Sequence, residues 1–279
     1  MTRIIALANQ KGGVGKTTST LALGAALADR GHHVLLVDLD PQASLTLAAG
    51  VTQPDATVWT ALQQVLDTGE ASSLEEVIQH LPTSRLDLLP SSLDLSAADL
   101  ALLNTERREY VLSEILGPVA AHYDLVLIDC PPALNLLVVN ALTAADEVLI
   151  PMTPDYLAVG GLSLFLQTVN RIKTRKLNPR LQIAGLLLTM TVAQTAHDRA
   201  YIPQLEALAQ ARGFPVLGQV PRATIVRDSA AAGIPITTFA ARHPAADAYE
   251  RVATRLEAMW GLEPVTTSAA EGDEEGGLD

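Results

Sequence analysis

Along this chain short apolar runs alternate with longer stretches whose apolar positions recur every three or four residues. The runs predict strands over 3–8, 33–38, 85–89, 124–129, 146–151, 182–189 and 216–220. The longer stretches predict helices over roughly 16–29, 57–67, 109–120, 134–143, 158–174, 199–211 and 245–259. Alternation at this spacing means βαβ units, and so an α/β fold with a mostly parallel sheet flanked by helices on both faces. Residues 50–83 are less regular and read as an exposed excursion. Ligands of such sheets collect at the carboxyl ends of the strands. The chemistry should therefore lie directly after the predicted strands.

Composition narrows the class. At 279 residues, 48% hydrophobic and only 4% aromatic, the chain suits helices packed on a buried sheet, in one large domain spanning 1–262. Neither a signal-peptide core nor an uncharged run near the ~18 residues of a membrane span occurs. The single Cys130 excludes an internal disulfide framework and fits a reducing compartment. Net charge is −12, but residues 263–279 hold six acids (Glu263, Glu271, Asp273, Glu274, Glu275 and Asp279) and no base. That tail reads as disordered, and without it the remainder carries −12 + 6 = −6. Conversely, the 42 residues between Asp155 and Asp198 contain no acid, while Arg171, Lys173, Arg175, Lys176 and Arg180 crowd into ten positions. This cluster is either the solvated end of a helix or a patch for phosphate backbone.

Directly after the first predicted strand stands "NQKGGVGKTTST", residues 9–20. Gly12, Gly13, Val14 and Gly15 let backbone N–H groups turn around phosphate oxygens, and Lys16, Thr17 and Thr18 open a helix whose N-terminus favours anions. Lys16 is expected on the β- and γ-phosphates of a nucleotide and the Thr17 hydroxyl on Mg²⁺. Asp38 and Asp40 end the second strand, two apart and so on one side of extended chain. Asp129 closes the apolar run "YDLVLID", a carboxylate placed to approach the metal. Lys11, one of only four lysines, has no role in an ordinary loop of this kind.

"KGGVGKT" resembles the deviant Walker A motif of the ParA/MinD family of P-loop ATPases. The resemblance runs through nearly all of 1–262. It implies a dimer in which Lys11 crosses to the phosphates of the partner's nucleotide, Asp40 orients the attacking water, and Asp38 stands nearer the metal. Pro131 and Pro132 match the second switch, while Met190, Pro221 and Arg222 fall where the family holds adenine. ATP with Mg²⁺ is the implied cofactor pair, hydrolysed to ADP and phosphate with slow intrinsic turnover. No Asn-Lys-x-Asp guanine reader occurs. The iron–sulfur branch of the family needs two cysteines per subunit, and this chain has one.

Within the family the chain looks like the small Soj-type partition ATPases, since no helix-turn-helix domain precedes the first strand. That implies non-specific DNA binding by the ATP homodimer, release by a ParB-like centromere-binding protein, no membrane, and a cytoplasmic, nucleoid-associated location. The DNA candidates are Arg171, Lys173, Arg175, Lys176, Arg199 and Arg227. The expected arginines are missing at Gln194 and near Ile225. A ParA-like ATPase positioning another cargo shares every motif, and a nucleotide-dependent scaffold that does not hydrolyse stays open. A MinD-like membrane cycle would need a basic amphipathic C-terminal helix, whereas "AADAYERVATRLEAMWG" has mixed charge.

Overall fold

A computed structural model describes residues 2–69, 74–81, 85–193 and 195–263. Eight strands form one sheet: β1 (Arg3–Leu7), β2 (Val34–Asp38), β3 (Gln79–His80), β4 (Leu86–Leu89), β5 (Leu125–Asp129), β6 (Glu147–Met152), β7 (Gln182–Thr191) and β8 (Val216–Pro221). Their order across the sheet is β3-β4-β2-β5-β1-β6-β7-β8, parallel except for the antiparallel β3 at one edge. The helices are α1 (Lys16–Asp29), α2 (Ser44–Ala48), α3 (Val58–Thr68), α4 (Ala98–Leu102), α5 (Val111–Ala120) and α6 (Leu136–Ala144). They continue with α7 (Ala158–Thr174), α8 (Ala196–Ala211), α9 (Ile225–Ala231), α10 (Ile236–Phe239) and α11 (Pro244–Trp260). No helix among the described residues is long and apolar enough to cross a membrane.

The period of two along each strand sorts its side chains between two cores. In β2, Leu35 and Val37 join the core under α3, α5, α6 and α7, whereas Val34 and Leu36 join the one under α1 and α11. Both faces are thus covered, which is why the central strands read as unbroken apolar runs. All five residues of β5 are buried. Each fully buried Leu, Val or Ile contributes about 1.5–3 kcal/mol. β1 lies between β5 and β6, so the chain leaving it enters the crevice where strand order reverses.

All seven predicted strands are present, and α7 runs over 158–174 as expected. Within residues 50–83, the described parts, 50–69 and 74–81, correct the reading: they are not an exposed excursion. Val58, Ala61, Leu62 and Val65 of α3, with Leu74 and Val77 beyond it, are buried in the core. The Val58 N–H donates to Pro90 O at 2.8 Å. Gln194 and the acidic tail beyond Glu263 lie outside the described residues.

Two contacts join distant segments. α11 is pinned to the end of α1 through Glu257, which takes Arg30 at 3.1 Å and His32 Nε2 at 2.9 Å. Gly50, after α2, and Gly233, after α9, meet backbone to backbone with φ of 87° and 68°. A Cβ on Gly233 would stand 2.6 Å from Gly50 Cα, and one on Gly50 3.2 Å from Gly233 O, so a side chain clashes at the first position and is strained at both.

Candidate nucleotide site

The glycine loop turns between β1 and α1 with Gly13 and Gly15 at φ of 70° and 79°, backbone that only glycine adopts freely. No side chain caps α1. The N–H groups of its first turn therefore stay open at the positive end of the helix. Thr189 Oγ1 holds the loop from below by donating to Val14 O at 2.8 Å. Asn9, directly before the loop, donates to Pro151 O at 2.7 Å and accepts from Lys11 N at 3.0 Å. These bonds leave a cleft of about 410 Å³ lined by Gly12, Gly13, Gly15, Lys16, Thr17, Thr18, Asp40 and Pro132, among others.

Lys16 is buried, and burial lowers the pKa of its amine against the opposing pull of Asp129. Its Nζ donates to Lys11 O at 3.3 Å. The Thr17 hydroxyl donates to Asp129 Oδ2 at 2.6 Å. Asp129 is fully buried, and its Oδ1 has no hydrogen-bond partner among the described residues. Burial, and then the charge of Asp38 beside it in the β2–β5 register, push its pKa well above the carboxylate range. A buried carboxylate with one spare oxygen next to a hydroxyl and a lysine suits a divalent cation. Thr17 and Asp129 would hold Mg²⁺, which would neutralise the carboxylate and the phosphates it faces.

Asp38 and Asp40 part company. Asp38 is fully buried and accepts from Thr46 N at 2.8 Å, Thr46 Oγ1 at 2.7 Å and Asp40 N at 3.2 Å. Burial raises its pKa to about 6, those bonds drawing it back. Its oxygens are thus occupied in shaping the turn, whereas Asp40 lines the cleft. Ser91, after β4, holds that turn from behind: its Oγ donates to Asp40 O at 2.8 Å and its N–H to Thr46 Oγ1 at 2.9 Å. Thr46→Val would strip one donor from Asp38 and the acceptor from Ser91. It should cost about 1–3 kcal/mol in urea unfolding. A loss under about 0.5 kcal/mol would show that the network is idle.

A second cleft, about 460 Å³, shares Gly15, Thr18, Met190, Val226 and Ala230 with the first and adds Pro221 and Arg222. β7 and β8 bring these together, since Arg222 N donates to Thr191 O at 2.9 Å. Met190 sits at φ 54°, an uncommon backbone for a side-chain residue, and its placement between both clefts accounts for its position. The two clefts are therefore continuous.

Lys11 is absent from the residues lining either cleft. Its Nζ forms an ion pair with Asp155 and reaches Thr153 at 3.5 Å. Burial pushes the Asp155 carboxyl up, but the bonds from Lys11 and Thr153 outweigh it and the pKa falls. The residues proposed for DNA do not form one patch. Arg171, Lys173, Arg175 and Lys176 close α7 at the amino ends of the strands. Arg199 opens α8 and Arg227 lies on α9, both at the carboxyl edge of the sheet, and Arg227 lines the second cleft. Cys130 is buried and its thiol pushed up by burial, as a packing residue should be.

Sequence reasoning missed Asn9, Thr46, Ser91 and Asp155. Asp155 follows a strand at the carboxyl edge, and that rule alone could have singled it out.

This geometry has counterparts. The AAA_31 profile, an AAA domain, matches residues 2–183. The chromosome-partitioning ATPase Soj of Treponema pallidum is 37% identical over 261 residues, 94% of this chain and 99% of that one. An uncharacterised Mycobacterium tuberculosis protein is 40% identical over 93% of this chain and 80% of its own. Among solved structures, cobyrinic acid a,c-diamide synthase of Mycobacterium smegmatis, with bound ADP and magnesium, superposes with a TM-score of 0.79 at 33% identity. The match covers 96% of this chain and 100% of that one. With the glycine loop, the buried Thr17–Asp129 pair and the joined clefts in place, the chain belongs to the AAA_31 family of ParA/MinD-like P-loop ATPases.

Proposed function

We propose that this protein is a partition ATPase whose nucleotide state sets its assembly state. ATP with Mg²⁺ binds between Lys16, Thr17 and Asp129, with adenine against Met190, Pro221 and Arg222. Lys11 of a second copy reaches the triphosphate and closes a homodimer. Bound Mg²⁺ shields the phosphate charge. Lys16 draws off charge developing on the transferred oxygens, and Asp40 orients the attacking water. Intrinsic turnover is slow, and a ParB-like centromere-binding protein accelerates it, releasing a dimer that holds DNA non-specifically on the cytoplasmic nucleoid. Arg199 and Arg227 sit at the edge where two copies would meet and are the nearer DNA candidates. The 171–176 cluster lies at the far end. The Soj relative's name supports the partition role.

One observation carries the reading: Lys16 lines the phosphate cleft, whereas Lys11 points away from its own cleft and onto Asp155. A second cation that does not serve its own nucleotide is available to another. Lys11→Ala should keep ATP affinity within about twofold, because the residue lines neither subsite, and lose the ATP-dependent dimer in light scattering. A dimer that survives the substitution would refute the crossing lysine.

A further inference from the structure

The amino-end face of the sheet carries an unpaired cationic surface beside the exit of the acidic tail. Arg171, Lys173, Arg175, Lys176 and Arg180 are all exposed, and none makes an ion pair among the described residues. A cleft of about 470 Å³ between α7 and the α8–β8 turn adds Arg212 to Lys173, with Gln182 and Phe214 on its walls and no carboxylate. Through Gln182 it meets a smaller cleft of about 270 Å³ lined by Arg3, Asp146, Glu147, Arg180 and Gln182. The acids of this second cleft are already engaged. Glu147 pairs with Arg3 at 2.7 Å and accepts from Trp260 Nε1 at 3.1 Å, and Asp146 accepts from Ile4 N at 2.9 Å.

Trp260 ends α11, with the Arg3 guanidinium 5.6 Å from its ring. The Trp260 indole bonds Glu147, a lining residue of the smaller cleft, so the chain leaves α11 beside that cleft. Beyond Glu263 stand five more acids, Glu271, Asp273, Glu274, Glu275 and Asp279, and no base. A flexible linker of 17 residues has a root-mean-square span of about 5–6 Å × √17, roughly 21–25 Å. β1, β6, β7 and β8 are successive strands about 4.7–4.9 Å apart, so the edge they share is about 14–15 Å wide, less than that reach.

We propose that the acidic tail, residues 263–279, docks in cis on the basic surface formed by Lys173, Arg175, Lys176, Arg180 and Arg212. There it acts as a tethered polyanion that competes with external ones. Charge complementarity, the place where the chain exits and its reach point to this one occupant. Such docking goes beyond the partition role and does not need it. Individually weak, exposed ion pairs add up when tethered, and salt screens them.

Zero-length carbodiimide coupling tests the contact in the full chain, because it joins a carboxylate to an amine in direct contact. Of the four lysines, Lys16 is buried and Lys11 follows β1 at the opposite, carboxyl edge of the sheet, which leaves Lys173 and Lys176 on this surface. Peptide mapping of the monomer should find Lys173 or Lys176 joined to Glu271, Asp273, Glu274 or Glu275, and the links should vanish at about 0.5 M NaCl. Links found only in covalent dimers would assign the tail to a second copy and overturn the cis contact; so would no link at either lysine. In parallel, the full chain carrying E271Q, D273N, E274Q, E275Q and D279N should bind a fluorescein-labelled 20-base-pair duplex about tenfold tighter at low salt, in anisotropy without nucleotide. Equal affinity for duplex would overturn the competition. If neither chain bound duplex, the DNA reading would fall and competition with external nucleic acid would fall with it, while the cross-links would still decide the contact.

Discussion

Asp129→Asn should lower magnesium-dependent ATP turnover about 10²–10³-fold and at the same time raise the melting temperature of the nucleotide-free protein. The two effects share one cause. Asp129 is fully buried, carries an oxygen with no partner among the described residues and lies in register with Asp38. Its folded-state pKa is raised. A carboxyl raised in this way contributes most below its unfolded pKa, and that contribution is lost as pH rises toward the folded value. At neutral pH the bare site therefore works against folding, and an amide of the same shape removes the charge that burial penalises. Each kcal/mol recovered is worth about 2–4 °C in a domain of this size. The same amide cannot supply a negative ligand, and losing the several kcal/mol a metal provides should cost about 10²–10³ in turnover. Scanning calorimetry and phosphate release on one preparation check both halves. Retained turnover, or a melting temperature that falls by several degrees, would show that Asp129 is an ordinary core residue.

Gly233→Ala is expected to be among the most destabilising single methyl additions to this fold. The added carbon would stand 2.6 Å from Gly50 Cα, and the backbone there has φ of 68°. The left-handed conformation costs a side-chain residue about 1–2 kcal/mol. Forcing an atom into close-packed backbone adds about 1–3 kcal/mol more. The sum, about 2–5 kcal/mol, is a large part of what usually holds a domain together. Urea unfolding measures it directly, and a change below about 1 kcal/mol would show that the two segments can part freely. Because Gly50 follows α2 and Gly233 follows α9, turnover should fall with stability, each segment lining one side of the phosphate cleft.

What could be read from the chain beforehand followed from range. Lys16, Thr17 and their glycines sit in one continuous stretch, where spacing alone dictates the loop. Asp129 was legible because an apolar run that stops on one acid marks the carboxyl end of a buried strand, where ligands collect. The partners of Asp38 were not: Thr46 lies eight residues away and Ser91 lies 45 beyond that, joined only once β2 and β4 pair. The strand β3 has two residues and α10 has four, too few for any period to show. The excursion assigned to 50–83 failed for a related reason. The apolar face of α3 is plain in sequence, but whether it finds a core depends on α5, whose first residue is Val111. Among the basic candidates for DNA, the 171–176 cluster stands out by composition and Arg199 and Arg227 by the resemblance, and only the direction of α7 shows that they divide between opposite ends of the sheet.

The backbone of Asp40 is fastened to Ser91, not merely to its own loop. Ser91 belongs to the chain leaving β4, a strand separated from β1 by two others. In the proposed cycle, the residue that orients the water is thus braced from a wall with two strands between it and the strand of the glycine loop. On that proposal, substitutions behind the wall retune hydrolysis across a lineage without altering a single atom that touches ATP.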